Sequence, residues 1–263
     1  MTALITGASS GIGLAFAEQF AAERHDLVLV ARRRDRLEAA AARLQDRHGV
    51  RVTVLPADLT EDGIWDRISD ELDAQGITVN TLVNNAGFGV HDDVANSSPA
   101  DLAREVQVNC TALVGLITKL LPGMVERRSG SIINIGSTAS FQPVPHMAVY
   151  GASKAFVLSF TEALAVELRG TGVRALALCP GATDTEFFDV AGESARTGRS
   201  RSAADLVRHG LRALRAGRSS TVHGLDNALV ANIVARLLPR RTIAAIAGRA
   251  TGLPQENQNV SAG

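Results

Sequence analysis

The feature that most constrains the fold is an alternation that begins at residue 2. Short apolar runs are each followed by a polar or glycine-rich turn and then by a segment with helical spacing. Thr2 to Thr6 reads as a buried strand, and beyond a glycine turn a helical pattern runs to about Glu23. Leu27 to Val30 and Arg51 to Leu55 are the next strands, separated by an Ala- and Leu-rich helix from Asp35 to Asp46. A helix from Gly63 to Ala74 leads into strand four, Thr81 to Val83. The long helical pattern Asp101 to Leu121 is expected to stop at Pro122-Gly123, ahead of strand five, Ser131 to Ile135. A helix that includes Tyr150 runs on to about Arg169, Arg174 to Leu178 is strand six, and Thr221 to His223 makes a short last strand. Asp35 with Glu38, and Ser202 with Asp205, are expected to cap their helices, the first pair leaving Arg32, Arg33 and Arg34 in the preceding loop.

Strands that alternate with helices pair in parallel and are covered on both faces. The expected fold is therefore α/β: one doubly wound, Rossmann-type domain with a central parallel sheet of about seven strands. Ligands of such sheets bind beyond the carboxyl ends of the strands. Polar or glycine residues collect there: Gly7 after strand one, Arg32 after two, Asp58 after three, Asn84 after four, Ser137 after five. A purely structural protein has no reason to line one edge in this way.

Composition narrows the function classes. Basic and acidic residues balance at 27 each, so no net charge draws the chain to nucleic acid or anionic membrane. The two cysteines, Cys110 and Cys179, match no metal or redox spacing and read as buried thiols in a reducing compartment. No histidine cluster suggests a metal site. An apolar strand pattern starting at residue 2 leaves no room for a signal peptide, and no apolar run reaches the length of a membrane span, so a cytoplasmic protein is expected.

Thr6-Gly7-Ala8-Ser9-Ser10-Gly11-Ile12-Gly13 lies between a strand and a helix, the context a dinucleotide site requires. Glycines let the backbone approach a pyrophosphate, and the helix N-terminus offers free N–H groups. An NAD site places an acidic residue at the end of strand two. Here that place holds Ala31, followed by Arg32 and Arg33. Guanidinium groups bond a 2′-phosphate that a carboxylate would repel, which favours NADP(H). Asp58 is open to two readings, an acceptor for an adenine amino group or a cap on the following helix. Asn84 to Gly87 is expected to turn sharply so that the cofactor can pass.

Tyr150 is the only tyrosine in the chain, and Lys154 follows it by four residues. On a helix the two share a face. Lowering a phenol's pKa from near 10 by about three units takes roughly 4 kcal/mol, and a cation about 4 Å away supplies about that much at an effective dielectric near 20. The pair is expected to act as a general acid/base, with Lys154 lowering the Tyr150 pKa. Ser137 offers a hydroxyl to hold a carbonyl oxygen; no triad partner or nucleophile-elbow sequence makes it a nucleophile. Asn109 is a poor helix former inside a helical pattern, which suggests either a polar task or a satisfied core amide.

With these motifs, T-G-x-x-x-G-x-G and Y-x-x-x-K, the chain resembles the short-chain dehydrogenase/reductase family to about residue 224. The resemblance implies catalytic roles for Asn109, Ser137, Tyr150 and Lys154. It implies cofactor contacts from Gly7, Ser9, Ser10, Gly11, Ile12 and Gly13, from Asp58 and Leu59, and from Asn85, Ala86 and Gly87. Tyr150 and Lys154 join that set, as do Pro180, Gly181, Thr183 and Thr185. Arg32 and Arg33 match the NADP-preferring members. Homo-oligomers, dimers or tetramers, through the helices carrying Asn109 and Tyr150 are also implied. The alternative on the same fold is a non-catalytic NADP(H) sensor, which an incomplete Ser/Tyr/Lys set would have favoured; here the set is complete.

Pocket walls are expected from Phe88, Phe141 and His146, with Ser137 and Tyr150, and from Phe187 and Phe188 in the polar flap between Thr183 and Arg201. They lean apolar, which suggests a hydrophobic ketone, aldehyde or secondary alcohol. Residues 1–224 read as the catalytic domain, and residues 225–263 as a helical extension packed on it. The extension has apolar residues at helical spacing (Leu225, Leu229, Ile233, Leu237) and a basic knot from Arg236 to Arg241. Packing as a lid or subunit contact is favoured over membrane contact.

Overall fold

A computed structural model describes residues 1–183, 186, 200–229, 231 and 239–252. Seven strands form one all-parallel sheet: β1 (Thr2–Thr6), β2 (Asp26–Ala31), β3 (Val52–Pro56), β4 (Thr81–Asn84), β5 (Gly130–Ile135), β6 (Val173–Cys179) and β7 (Ser220–Val222). Their order is β3-β2-β1-β4-β5-β6-β7. The order reverses between β1 and β4, and this opens a crevice above their carboxyl ends.

The period-2 alternation of the strands divides the core in two. Ala3, Ile5, Leu27, Leu29 and Ile133 point to one face, where α1 (Gly11–Ala22), α2 (Arg34–His48) and α7 (Ala203–Arg215) cover them. Leu4, Val28, Leu82 and Ile132 point to the other, beneath α3 (Ile64–Ala74), α5 (Ala112–Glu126) and α6 (Ala148–Glu167). Two further helices, α8 (Leu225–Leu229) and α9 (Arg240–Ala250), belong to the C-terminal extension.

Several local expectations are corrected. The pattern 101–121 is one continuous rod only in outline: α4 (Pro99–Val106) runs through a π-type turn, Gln107–Thr111, into α5. The wide turn carries Asn109, which explains a poor helix former at that position. Pro122 does not end α5, which continues to Glu126. A proline near the last turn costs one internal hydrogen bond, and packing of Met124 and Leu116 on the sheet side outweighs it. Neither capping pair forms: Arg33 is the N-cap of α2 and Arg34 lies in its first turn, while Ser202 caps α7 without a side-chain bond. Arg34 pairs with Glu38, and Asp205 with Arg208, so these side chains are drawn along the helix by i,i+4 and i,i+3 charge pairs.

Contrary to the sequence expectation, the helical stretches Pro99–Glu126 and Ala148–Glu167 are long and apolar enough to cross a membrane by length and composition. They lie along the sheet and bury Glu105, Asn109, Ser153 and Lys154 against one another. Val106, Phe156 and Val166 on the same helices remain exposed.

Candidate active site

The first turn after β1 is shaped by glycine. Gly7 has φ +65°, and a Cβ there would stand 2.7 Å from Asn85 Nδ2. Asn85 Nδ2 donates to the carbonyls of Thr6 (2.9 Å) and Gly7 (3.2 Å), and the backbone N–H groups of Asn85 and Ala86 both donate to Thr6 Oγ1 at 3.0 Å. The turns after β1 and β4 are thereby locked together. Ser10, the N-cap of α1, makes no side-chain cap bond, which leaves first-turn N–H groups for a ligand.

These turns form one end of a cleft of about 880 Å³ along the carboxyl edge of the sheet. Ser9, Ser10, Gly11, Ile12, Arg32 and Arg33 line that end, followed by Asp58, Leu59 and Asn85 to Gly87. Ser137, Tyr150, Lys154, Pro180, Gly181 and Thr183 line the other. Gly13 lies below the surface, packed on Gly7 and Asn85. Asp58 Oδ1 accepts from Thr60 N (3.0 Å) and Thr60 Oγ1 (2.9 Å) while α3 begins at Ile64, so Asp58 caps a turn and not the helix. Asn84 faces inward and donates to Asn134, which donates to Thr161, a buried polar ladder between β4, β5 and α6.

The arginine end carries a group that sequence reasoning missed. Arg33 donates to Ser9 Oγ at 3.1 Å, to Ser10 Oγ at 3.4 Å and to Glu186 at 2.9 Å, and Glu186 also pairs with Arg36 at 2.5 Å. These bonds hold the Glu186 carboxyl below its usual range, with the Arg33 bond the largest lowering influence. Position 186 is far from the arginines in sequence, and only folding joins them.

At the other end, Ser137 Oγ accepts from Ala139 N at 3.1 Å and hydrogen-bonds to the Tyr150 phenol. Lys154 Nζ donates to the Ile135 carbonyl at 2.9 Å and sits 5.7 Å from the centroid of the Tyr150 ring. Ser140 Oγ accepts from Ser137 N and donates to the Lys154 carbonyl at 2.8 Å, which stitches the end of β5 to α6. Asn109 is 2% exposed. Its Oδ1 accepts from Phe88 N at 3.2 Å, and its Nδ2 donates to Phe88 O at 2.9 Å and Ser153 Oγ at 3.0 Å.

The expectation that Lys154 lowers the Tyr150 pKa is not met in this state. Burial pushes the phenol up to about 12, which the Ser137 bond only partly offsets. Burial also brings Lys154 down to about 8, so the ammonium is itself weakly held and spends its hydrogen bond on a backbone carbonyl.

Two pocket expectations move. Phe141 packs beside Leu158, Ala177 and Cys179 and does not line the cleft. His146 has φ +63° and bonds to Asp93 Oδ1 at 2.8 Å, outside the cleft wall. Phe88 does line it, joined by Val144, Met147, Ala247 and Thr251. Thr185, Phe187 and Phe188 lie outside the described residues, as do Ile233 and Leu237. Helix α9 reaches the cleft mouth: Thr251 Oγ1 donates to Pro145 O at 2.9 Å, and His91 Nε2 donates to Thr251 O at 2.8 Å.

Residues 1–195 match the short chain dehydrogenase family. The chain belongs to that family. Among its relatives is a sulfoacetaldehyde reductase of Chromohalobacter salexigens, 40% identical over 214 residues, which are 81% of this chain and 82% of the relative. A solved short-chain dehydrogenase from Sphingobium yanoikuyae in complex with NADPH is 36% identical, with TM-score 0.81, covering 97% of this chain and 96% of that one. The bulky-bulky ketone specific alcohol dehydrogenase from Comamonas testosteroni is 31% identical, with TM-score 0.76 and coverage of 97% and 95%. As a family member the chain is an oxidoreductase of alcohol and carbonyl groups, and the structural likeness extends over nearly its whole length.

Proposed function

We propose that the protein interconverts a carbonyl and an alcohol with NADP(H), using Tyr150 as the general acid/base. The observation that carries this reading is one continuous cleft with the Ser137–Tyr150–Lys154 group at one end and Arg32, Arg33 and a glycine turn at the other. The cofactor, when bound, supplies or accepts the hydride. The Gly7 turn and the first turn of α1 hold its pyrophosphate, and Arg33 with Ser9 and Ser10 holds the 2′-phosphate. The NADPH in the Sphingobium structure supports that assignment.

Ser137 orients the substrate oxygen through its hydroxyl, and the Tyr150 phenol, bonded to Ser137, gives or takes the proton at that oxygen. Lys154 places a cation 5.7 Å from the centre of the Tyr150 ring, and as a cleft-lining donor it would hold a hydroxyl of the cofactor's ribose. Asn109 keeps Phe88 and Ser153 in register around them. Val144, Met147 and Ala247 make part of the cleft wall apolar, which suits a hydrophobic ketone, aldehyde or secondary alcohol.

Residues 1–224 form the catalytic unit in this reading, and the extension covers the cleft mouth through α9. Exposed Val106, Phe156 and Val166 on the central helices favour a homo-oligomer through that face. The test is NADPH consumption with a panel of apolar ketones and aldehydes by the wild type and by Tyr150→Phe. Turnover lost in the variant with NADPH binding retained supports the mechanism; equal turnover contradicts it.

A further inference from the structure

Glu105 lies on α4, one turn before Asn109, and is 0% exposed. Its Oε2 accepts from Val90 N at 3.1 Å, while its Oε1 is buried and has no hydrogen-bond partner among the described residues. An acid so placed is costly unless it does something. Glu105 and Asn109 together grip one loop: Asn109 holds Phe88 through both backbone groups, and Glu105 holds Val90. Between them, Gly89 is pressed onto the reactive ring, since a Cβ there would stand 2.9 Å from Tyr150 Cδ2 and from Met147 Cε.

We propose that Glu105 is a positioning residue that sets the charge felt by Tyr150 and Lys154: one carboxylate oxygen pins residues 88–90 on the tyrosine ring, and the other holds a proton or a negative charge behind the pair. The ionisable groups that face it are Lys154 and Tyr150 on α6 and Cys110 on the π-type turn. Its neighbours Arg104 and Asp101 pair with each other at the surface, and His91 beyond Val90 bonds to Thr251. Burial raises the Glu105 carboxyl to about 7, against smaller lowering by the Val90 bond and Lys154, so its charge changes within the working pH range. When ionised it opposes the Tyr150 phenolate and favours the Lys154 ammonium.

The inference rests on Tyr150 being the acid/base for its consequence in catalysis, but its test does not. Tyr150 is the only tyrosine, so tyrosinate absorbance in the cofactor-free protein, read just after a jump to alkaline pH, reports this one group. Glu105→Gln keeps an acceptor for Val90 and removes the charge; Glu105→Asp keeps the charge and shortens the reach. The expected result is a Tyr150 midpoint lower by about half a unit or more in the Gln variant, with the Asp variant near wild type. Glu105→Met serves if Glu105→Gln does not fold, with the same downward shift expected.

An unchanged midpoint in the neutral variants, or equal shifts in Gln and Asp, overturns the inference. In the active enzyme, the alkaline limb of alcohol oxidation should move down with the absorbance midpoint. A moved midpoint with an unmoved rate profile upholds the role of Glu105 and contradicts Tyr150 as the base.

Discussion

Arg33 donates to the Glu186 carboxylate at 2.9 Å and, through the same Nη2 atom, to Ser9 Oγ at 3.1 Å. The acid therefore stands on the hydrogen-bonding group assigned to the cofactor's 2′-phosphate. A phosphate arriving there must displace it. The pair is about two-fifths exposed on each side, so its worth is that of an exposed ion pair, about 0.2–1 kcal/mol. Glu186→Gln should tighten NADPH binding by about 1.5- to 5-fold and leave NADH unchanged. Fluorescence titration of both nucleotides checks this; weaker NADPH binding would show that Glu186 assists the phosphate.

Gly89→Ala should push the Tyr150 ring or Met147 aside, because the new methyl would lie 2.9 Å from both. Overpacking of this kind costs about 1–3 kcal/mol. Carbonyl reduction should fall at least tenfold with NADPH affinity nearly intact. Steady-state kinetics beside a nucleotide titration separates the two, and full activity would mean that the loop gives way freely.

His91→Ala removes the donor to the Thr251 carbonyl and one of the ties between α9 and the cleft mouth. The expected change is a higher KM for apolar ketones with kcat and NADPH affinity little altered. Measured KM values for large and small ketones decide it; unchanged values would place the extension outside substrate binding.

Two buried groups should mark the stability profile. The Lys154 pKa is lowered to about 8 in the fold from 10.5, so between those values the unfolded chain binds more protons and stability from this group rises with pH. Glu105 has the opposite sign: its pKa is raised to about 7 from 4.5, the folded chain binds more protons between those values, and stability from this group falls as pH rises through them. Wild type should therefore carry a contribution to Tm that declines between about pH 5 and 7, and Glu105→Gln should lack it. Parallel slopes in the two proteins would contradict the buried acid.

The sheet was legible because parallel strands buried on both faces leave continuous apolar runs, and Leu4 or Val28 has no other stable place. The Gly7 turn, Ser137, Tyr150 and Lys154 were legible because each sits at a strand end or on one helix face. What escaped depends on tertiary distance. Glu186 meets Arg33 across 153 positions, and α9 meets His91 across 160. Glu105 carries no signal in the sequence, because the loop 88–90 that it bonds reaches it only in the fold. The misplacement of Phe141 has a similar cause: a short turn after Ser137 rotates it toward β6, and side-chain direction through an irregular turn has no period to read. The effect of Lys154 on Tyr150 differs from the expectation because a charge pair alone leaves out the cost of burial, and burial is the largest influence on both groups.

The most direct test of the account is a parallel titration of the wild type and Arg33→Ala with NADPH and NADH, followed by nucleotide fluorescence. One charge-assisted bond is worth about 1.5–3 kcal/mol, so wild type should prefer NADPH by at least about tenfold and the variant should lose most of that preference. An NADH preference in wild type, or binding of neither nucleotide, would contradict it.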